Sequence, residues 1–279
     1  MQQTQPTMAA IMAEVEDTWK KFNNVYQGFT IDQWAKKYGK DWIFSDQPYH
    51  MVFFDKAMVV DAIAKGGNPS DKWLLKSVPE INAWNGREFA KRPADQTAVK
   101  SLEQYKASQE SIRQMVKGLK ESDASRPSWI PLMMGQATVR DALMFCLVHN
   151  VGEYTELRLR LGGKPPPPTP ESVHFRLAAM MAFMGMLANQ EEAKKTRMTA
   201  VWNFTGPGGG AWTFNIGDGK CVVTDGKAQK PDLMITTTFE GFEKMMRKMQ
   251  NPMLMMLTRQ VKIKGMRRMG AFQKLFPMG

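Results

Sequence analysis

Four consecutive prolines, Pro165-Pro-Pro-Pro168, cut this chain into two halves with different sequence periods. They sit within Gly162-Gly-Lys-Pro-Pro-Pro-Pro-Thr-Pro170. The glycines stop a helix, because glycine takes the left-handed conformation that closes helical C-termini. Proline fixes φ and has no amide hydrogen, so the run holds an extended, semi-rigid connector. Ahead of it, apolar residues recur every three or four positions. Beyond it, after one more helix, the patterns become strand-like. We therefore expect a multi-domain chain: an all-α four-helix bundle over 1–163, a proline-rich linker over 164–170, and an α+β domain over 171–279 with an antiparallel sheet and covering helices.

The bundle half predicts four long helices. The first runs from about Thr7 to Gly28, with Ile11, Val15, Trp19, Phe22 and Tyr26 on one face. The second starts near Asp46, read as its cap, carries Pro48 in its first turn, and ends near Gly66-Gly-Asn-Pro69. The third spans about Asp95 to Leu119, and the fourth follows Gln136-Ala-Thr-Val-Arg-Asp141 and ends at Gly162. The segment between helices two and three reads as a long loop, with Trp84-Asn85 available to line a pocket.

The second half opens with a helix from Pro170 to Lys195. Short strands follow at Thr199–Thr205, Ala211–Ile216, Lys220–Thr224 and Leu233–Thr238, the first three separated by glycine-rich turns and read as a meander. Helices are expected over Phe239–Met249 and Met269–Phe276, with a last strand at Val261–Lys264. Gly206-Pro-Gly-Gly-Gly210 lies between two strands with no helix after it, so it is a hairpin turn and not a phosphate loop.

With 43% hydrophobic and 23% charged residues in 279, there is material for two cores, which excludes a disordered chain. Cys146 and Cys221 are too few for a disulfide framework and lack zinc-finger spacing. The N-terminus has no signal-peptide pattern, and the longest apolar run, Leu177–Ala188, is too short to span a bilayer. A cytoplasmic location is the expectation. The net charge of +11 is uneven: from Lys244 to Lys274 nine residues are Lys or Arg and none is Asp or Glu. Such a stripe suits an anionic membrane surface, or is simply a solvated face. No RNA-binding or zinc-finger pattern accompanies it, which argues against nucleic acid. A homodimer is compatible with the sequence.

Two of the three histidines fall where a bundle can bring them together. His50 lies near the start of helix two. His149 lies in helix four, with Glu153 four residues later on the same face. Two imidazoles and a carboxylate are a common ligand set for a divalent ion that keeps an open position. The same spacing also suits a histidine–carboxylate contact on an ordinary helix. Cys146, one turn before His149, and Glu156 stand where they can support the ligands.

The stretch Asp41-Trp-Ile-Phe-Ser-Asp-Gln-Pro-Tyr-His50, with His149-Asn-Val-Gly-Glu153 and Glu156-Leu-Arg-Leu-Arg-Leu-Gly162, resembles the DinB-like four-helix bundles. These include thiol-dependent S-transferases and the N-terminal domain of maleylpyruvate isomerase. The resemblance covers about residues 8–165. It implies a metal site on His50, His149 and Glu153, with zinc or nickel as the ion. Glu153 departs from the histidine many members carry there.

Beyond the linker, Gly206-Pro-Gly-Gly-Gly-Ala-Trp212, Phe214-Asn-Ile-Gly-Asp-Gly-Lys220, Lys230-Pro-Asp-Leu-Met-Ile-Thr236 and Val261-Lys-Ile-Lys-Gly265 resemble the sterol-carrier-protein type 2 family. That resemblance implies an apolar tunnel for a fatty acyl or sterol-like ligand. Independently, methionines cluster in the helical segments, and their flexible side chains suit either an adaptable pocket or a plain core. The expected lining is Met180, Met184, Phe214, Met245, Met249 and Met256. The sequence thus points to a metal- and lipid-binding two-domain protein. The alternative is a metal-dependent thiol S-transferase or isomerase using a low-molecular-weight thiol. No catalytic residue is assigned, since neither cysteine has a histidine–carboxylate relay beside it.

Overall fold

The computed structural model of the protein describes residues 6–38, 42–67, 73–132, 135–163, 167–247 and 249–276. Asp41, Asn68-Pro69, Lys164 to Pro166 of the connector, and Lys248 of the basic stripe lie outside the described residues. The chain divides into two compact units, Pro6–Pro166 and Pro167–Gly279.

In the first unit, α1 (Met8–Gln27) begins where the Thr7 hydroxyl accepts the amide of Ala10, and it buries Ile11, Val15, Trp19, Phe22 and Tyr26. A short α2 (Ile31–Ala35) follows, opened by a capping box between Thr30 and Gln33. The expected second helix is present, but in three parts: α3 (Asp46–Asp55), a π-helical turn (Lys56–Val60) and α4 (Asp61–Lys65). It ends at Gly66 with φ +70°. Asp46 is not its cap. Ser45 holds the cap position, and the Asp46 carboxylate instead accepts the Ile43 amide at 2.8 Å and pairs with Arg92 at 2.7 Å.

The expected loop between helices two and three is largely helix α5 (Val78–Ala90), started by Ser77 and proline in its first turn. Only Trp84 of this helix is buried, so no apolar stripe announces it in the sequence. Then come α6 (Ala98–Lys117), a 3₁₀ turn (Glu121–Ser125), a hairpin of β1 (Pro127–Ile130) and β2 (Gly135–Thr138), and α7 (Val139–Arg160). A capping box between Thr138 and Asp141 starts α7. Packing of α1 against α7 and of α3 against α6 makes the bundle.

In the second unit the first helix is two: α8 (Pro170–Met186) and α9 (Gln190–Lys195), because the Asn189 side chain accepts the amides of Glu191 and Glu192 and restarts the helix. The sheet contains β3 (Met198–Thr205), β4 (Gly210–Gly217), β5 (Lys220–Asp225) and β6 (Leu233–Thr238). After α10 (Phe239–Met246) and α11 (Pro252–Leu257) come β7 (Lys262–Lys264), a 3₁₀ turn (Met266–Arg268) and α12 (Met269–Leu275). Strands β3, β4 and β5 form the expected meander, with Gly206–Gly209 as its first turn. The fourth strand departs from it. Strand order is β5-β4-β3-β6-β7, and β6 lies parallel to β3. The antiparallel pairs are β3–β4, β4–β5 and β6–β7. After β5 the chain must therefore cross to the far side of β3.

Helix α8 lies close on the sheet: a Cβ at Gly185 would stand 2.5 Å from Val223 Cγ2. Leu177, Met181, Trp202, Phe204, Phe214 and Phe242 fill the core. Among the described residues, no helix is long and apolar enough to cross a membrane.

Candidate functional site

The first unit brings His50, His149 and Glu153 together. His50 projects from the first turns of α3 and is 3% exposed. His149 and Glu153 sit one turn apart on α7, with side chains 13% and 23% exposed. The Nε2 atoms of the two imidazoles are 3.3 Å apart. His149 Nε2 stands 3.9 Å from Glu153 Oε1. One donor atom from each of the three residues lies within 4.8 Å of the others, a cluster able to hold one metal ion.

Aromatic rings fix the imidazoles. Phe54 stacks on His149 with centroids 3.9 Å apart and planes at 14°, and Phe145 is nearly parallel to the same ring. Trp42 and Phe53 flank His50 at 4.9 and 5.1 Å. This apolar sleeve strips water from both rings. Burial, and then the neighbouring His149, hold His50 well below the usual histidine range, while burial takes His149 down to about 3. Both are neutral near pH 7, the form in which imidazole ligates.

Glu153 is oriented from the other side. Gln47 Nε2 donates to Glu153 Oε2 at 2.9 Å and to the Glu153 carbonyl at 3.1 Å. The same amide reaches the Tyr38 hydroxyl at 2.6 Å, and the Tyr26 hydroxyl donates to Gln47 Oε1 at 2.5 Å. The Tyr38 hydroxyl is itself 3.5 Å from Glu153 Oε2. This network holds Oε2 and leaves Oε1 on the histidine side.

The donor set suits a divalent cation: two neutral nitrogens, one oriented carboxylate and partial access from solvent. One feature departs from common practice. Ligating histidines usually donate their second nitrogen to a partner, yet Nδ1 of both His50 and His149 is buried without one. The rings are held by stacking instead.

The sequence does not single out Gln47 or Tyr38. Gln47 lies three residues before His50 on one helix face, a spacing that could have flagged it. Tyr38 reaches the site from outside the long helices, and no pattern marks it. Glu156 pairs with Arg160 at 2.7 Å, and the Arg160 guanidinium lies 5.9 Å from the centre of the Tyr38 ring. Cys146 belongs to a second buried network, where Asn150 Nδ2 donates to its carbonyl at 2.9 Å. Asn150 Oδ1 accepts from Trp19 Nε1 and the Tyr105 hydroxyl, both at 2.9 Å. Asp55 lies beside this network, 1% exposed, with neither carboxyl oxygen hydrogen-bonded. Burial pushes its pKa up to about 8, offset only in part by the nearby Asn150 amide. Asp55 directly precedes the π-helical turn, a distortion often found at functional sites. Trp84 is buried in α5 against Phe53, Phe54 and Trp73 and so backs the aromatic sleeve.

In the second unit, Met184 and Phe214 are core residues, and Met180, Met245 and Met256 are half-buried against that core. Phe214 meets Phe272 and Phe276 edge-on, each at 6.0 Å. Met249 is 55% exposed and stands outside the core cluster. The Phe239–Met249 helix expected from the sequence ends at Met246, and Met249 lies past its end.

A helical unit followed by a sheet covered with helices is one known class. Residues 183–277 match the SCP-2 sterol transfer family. The fold is similar to that of the mycothiol-dependent maleylpyruvate isomerase: TM-score 0.50 and 8% identity, over 86% of this chain and 88% of that one. A histidine-to-alanine variant of that enzyme gives 0.50 and 7% over the same shares. The sterol carrier protein domain 2 of Helicoverpa armigera is 23% identical over 40% of this chain and 89% of its own, with a TM-score of 0.31. No curated protein sequence matches.

Proposed function

We propose that this protein binds a divalent cation, zinc or nickel, on His50, His149 and Glu153, and a small hydrophobic ligand in its C-terminal domain. The observation that carries the first part is the 3.3 Å between the two Nε2 atoms. A tetrahedral ion about 2.0–2.1 Å from each nitrogen sets its ligands roughly 3.3–3.4 Å apart. The imidazoles therefore stand at the spacing such an ion requires. A bound cation of this kind acts as a Lewis acid and lowers the pKa of water or thiol held on it. The protein's own residues supply the rest. Gln47 and Tyr38 aim the carboxylate, and Trp42, Phe53 and Phe54 exclude water and keep both imidazoles neutral.

The second part rests on the family match and on the composition of the core. A fatty acyl or sterol-like chain would lie against Met180, Met184, Phe214, Met245 and Met256, whose flexible thioethers can repack around it. Met249 faces outward and is left out of this lining.

A second reading is a metal-dependent thiol S-transferase or isomerase, favoured by the fold shared with the mycothiol-dependent isomerase over most of both chains. In that case the thiol comes from outside. Burial pushes the Cys146 thiol well up and the Cys221 thiol to about 12, so neither is a ready thiolate at neutral pH.

Native mass spectrometry of the untagged full-length protein tests these readings together. We expect a mass excess of one divalent ion, lost when His50 and His149 are both changed to Ala, and a separate lipid adduct that survives that change. Unchanged metal content in the double variant would remove the metal assignment. A metal-loaded protein that adds a small thiol to an electrophile would promote the second reading over the first.

A further inference from the structure

The second unit sorts its methionines onto two sides. In α11, Met255 is fully buried and Met256 is half-buried, while Met253 and Leu254 are 64% and 49% exposed and Leu257 79%. Met246 and Met249, just before this helix, are 42% and 55% exposed. Five exposed large apolar side chains thus fall within residues 246–257, an apolar ridge along the chain of the kind that marks interaction surfaces. The buried Met255 pins the ridge to the core and keeps it facing outward.

A basic cleft adjoins this ridge in the chain. It has a volume of about 330 Å³ and is lined by Thr236, Thr238, Glu240, Lys244, Arg259 and Lys262, among others. Thr238 caps α10, so the positive end of that helix lies at the cleft. Lys244 is partly neutralised by Glu240 at 2.8 Å. Arg259 and Lys262 are exposed and form no ion pair among the described residues. Arg259 has φ +58°, where glycine is the usual residue, and it directly follows the turn that ends α11. Exposed Lys264, Arg267 and Arg268 extend the positive surface, and no acidic residue occurs between Lys244 and the C-terminus of the sequence.

Nucleic acid would use the cations but not the ridge, and an apolar protein partner would use the ridge but not the cations. A bilayer with anionic lipids uses both: phosphates for the basic groups, and the boundary below them for methionine and leucine. We propose that α10, α11 and β7 form a docking surface for anionic membranes, with Met253, Leu254 and Leu257 entering the headgroup–acyl boundary and Arg259 and Lys262 meeting lipid phosphates. This role goes beyond the hydrophobic ligand in the core and does not depend on it.

Flotation of the full-length protein with vesicles tests the proposal, using phosphatidylcholine alone and phosphatidylcholine mixed with phosphatidylserine. Binding is expected to the mixed vesicles and to weaken as salt rises. Changing Arg259→Gln and Lys262→Gln together should lower the affinity about 25-fold, near five-fold per charge. Leu257→Asp should lower it as well, with the circular dichroism spectrum unchanged because the side chain is exposed. Equal binding to both vesicle types, or none to either, would overturn the proposal. So would displacement by dilute inorganic phosphate, which would make the cleft a free-anion site, or an unaffected Leu257→Asp variant, which would leave the ridge without a role. The lipid adduct in the mass spectrum reports separately on the core ligand, so the two ideas can fail independently.

Discussion

The two units treat buried polarity in opposite ways. The bundle buries Gln47, His50, Asp55, Gln109 and Asn150, whereas in the second unit the buried polar residues among those described are Thr213 and Thr237. Burying such groups costs free energy unless they find partners. Where a chain accepts that cost, the groups converge on a few atoms and mark a site. The second unit has an apolar interior and sends its charge and part of its methionine outward. Any ligand of this unit must therefore meet an apolar interior or a charged surface, with no cluster of buried polar side chains among the described residues to mark the place.

The largest effect expected from this contrast is at Asp55. Its folded pKa of about 8 lies above the ordinary value of 3.8. The folded state thus keeps a proton that the unfolded state has released. Between these values stability falls as pH rises, by an upper bound of roughly 6 kcal/mol once both states are ionised. Tyr105 and Cys146, which face Asp55, are themselves pushed up by burial and stay neutral across that window. Asp55→Asn should remove this slope. Denaturant unfolding of both proteins at pH 5 and pH 9 measures it, and an equal difference at the two values would refute the buried acid.

A middle-sized effect is expected at Leu177, which is fully buried on α8. Leu177→Ala should cost the second unit about 2–5 kcal/mol. Metal content of the bundle should be unchanged; a loss of metal in this variant would show the two units to be energetically coupled. The smallest effect concerns aim alone. Gln47→Met keeps the volume but removes the amide that holds Glu153 Oε2, and metal affinity should fall about 10- to 100-fold. Competition with a chelator reads this directly, and an unchanged affinity would mean that Glu153 needs no such support.

Much of this arrangement can be read from the residues. Periodicity places α1, α6 and α7 within a few positions, since each repeats its buried side chains every three or four residues, although α6 buries Ser101 and Gln109 beside Tyr105 and Ile112. Helix α5 escapes because only Trp84 anchors it, and the β1–β2 hairpin because its burial does not follow residue polarity: β1 buries Ser128 and leaves Trp129 half-exposed. The parallel pairing of β6 with β3 is a matter of topology, invisible to local pattern. His50, His149 and Glu153 stand out because histidine is rare here and the spacing is helical. Gln47 and Tyr38 are ordinary polar residues whose role exists only once three elements meet. Met249 falls outside the core because a methionine's side of the chain is set by where its helix ends, and α10 stops at Met246, three residues sooner than the pattern suggests.

The π-helical turn at Lys56–Val60 has a consequence of its own. Such a turn holds about one residue more than an α-turn, which shifts everything after it by close to a quarter revolution. Ahead of it the helix turns His50 and Phe54 toward His149; after it, Ala62 and Ile63 turn inward and the Ala62 carbonyl accepts the Ser128 hydroxyl at 2.8 Å. A uniform α-helix would serve one of these faces and misalign the other. The wide turn is equivalent to a single-residue insertion, and losing that residue would unhitch the β-hairpin from the helix while leaving both histidines where they are.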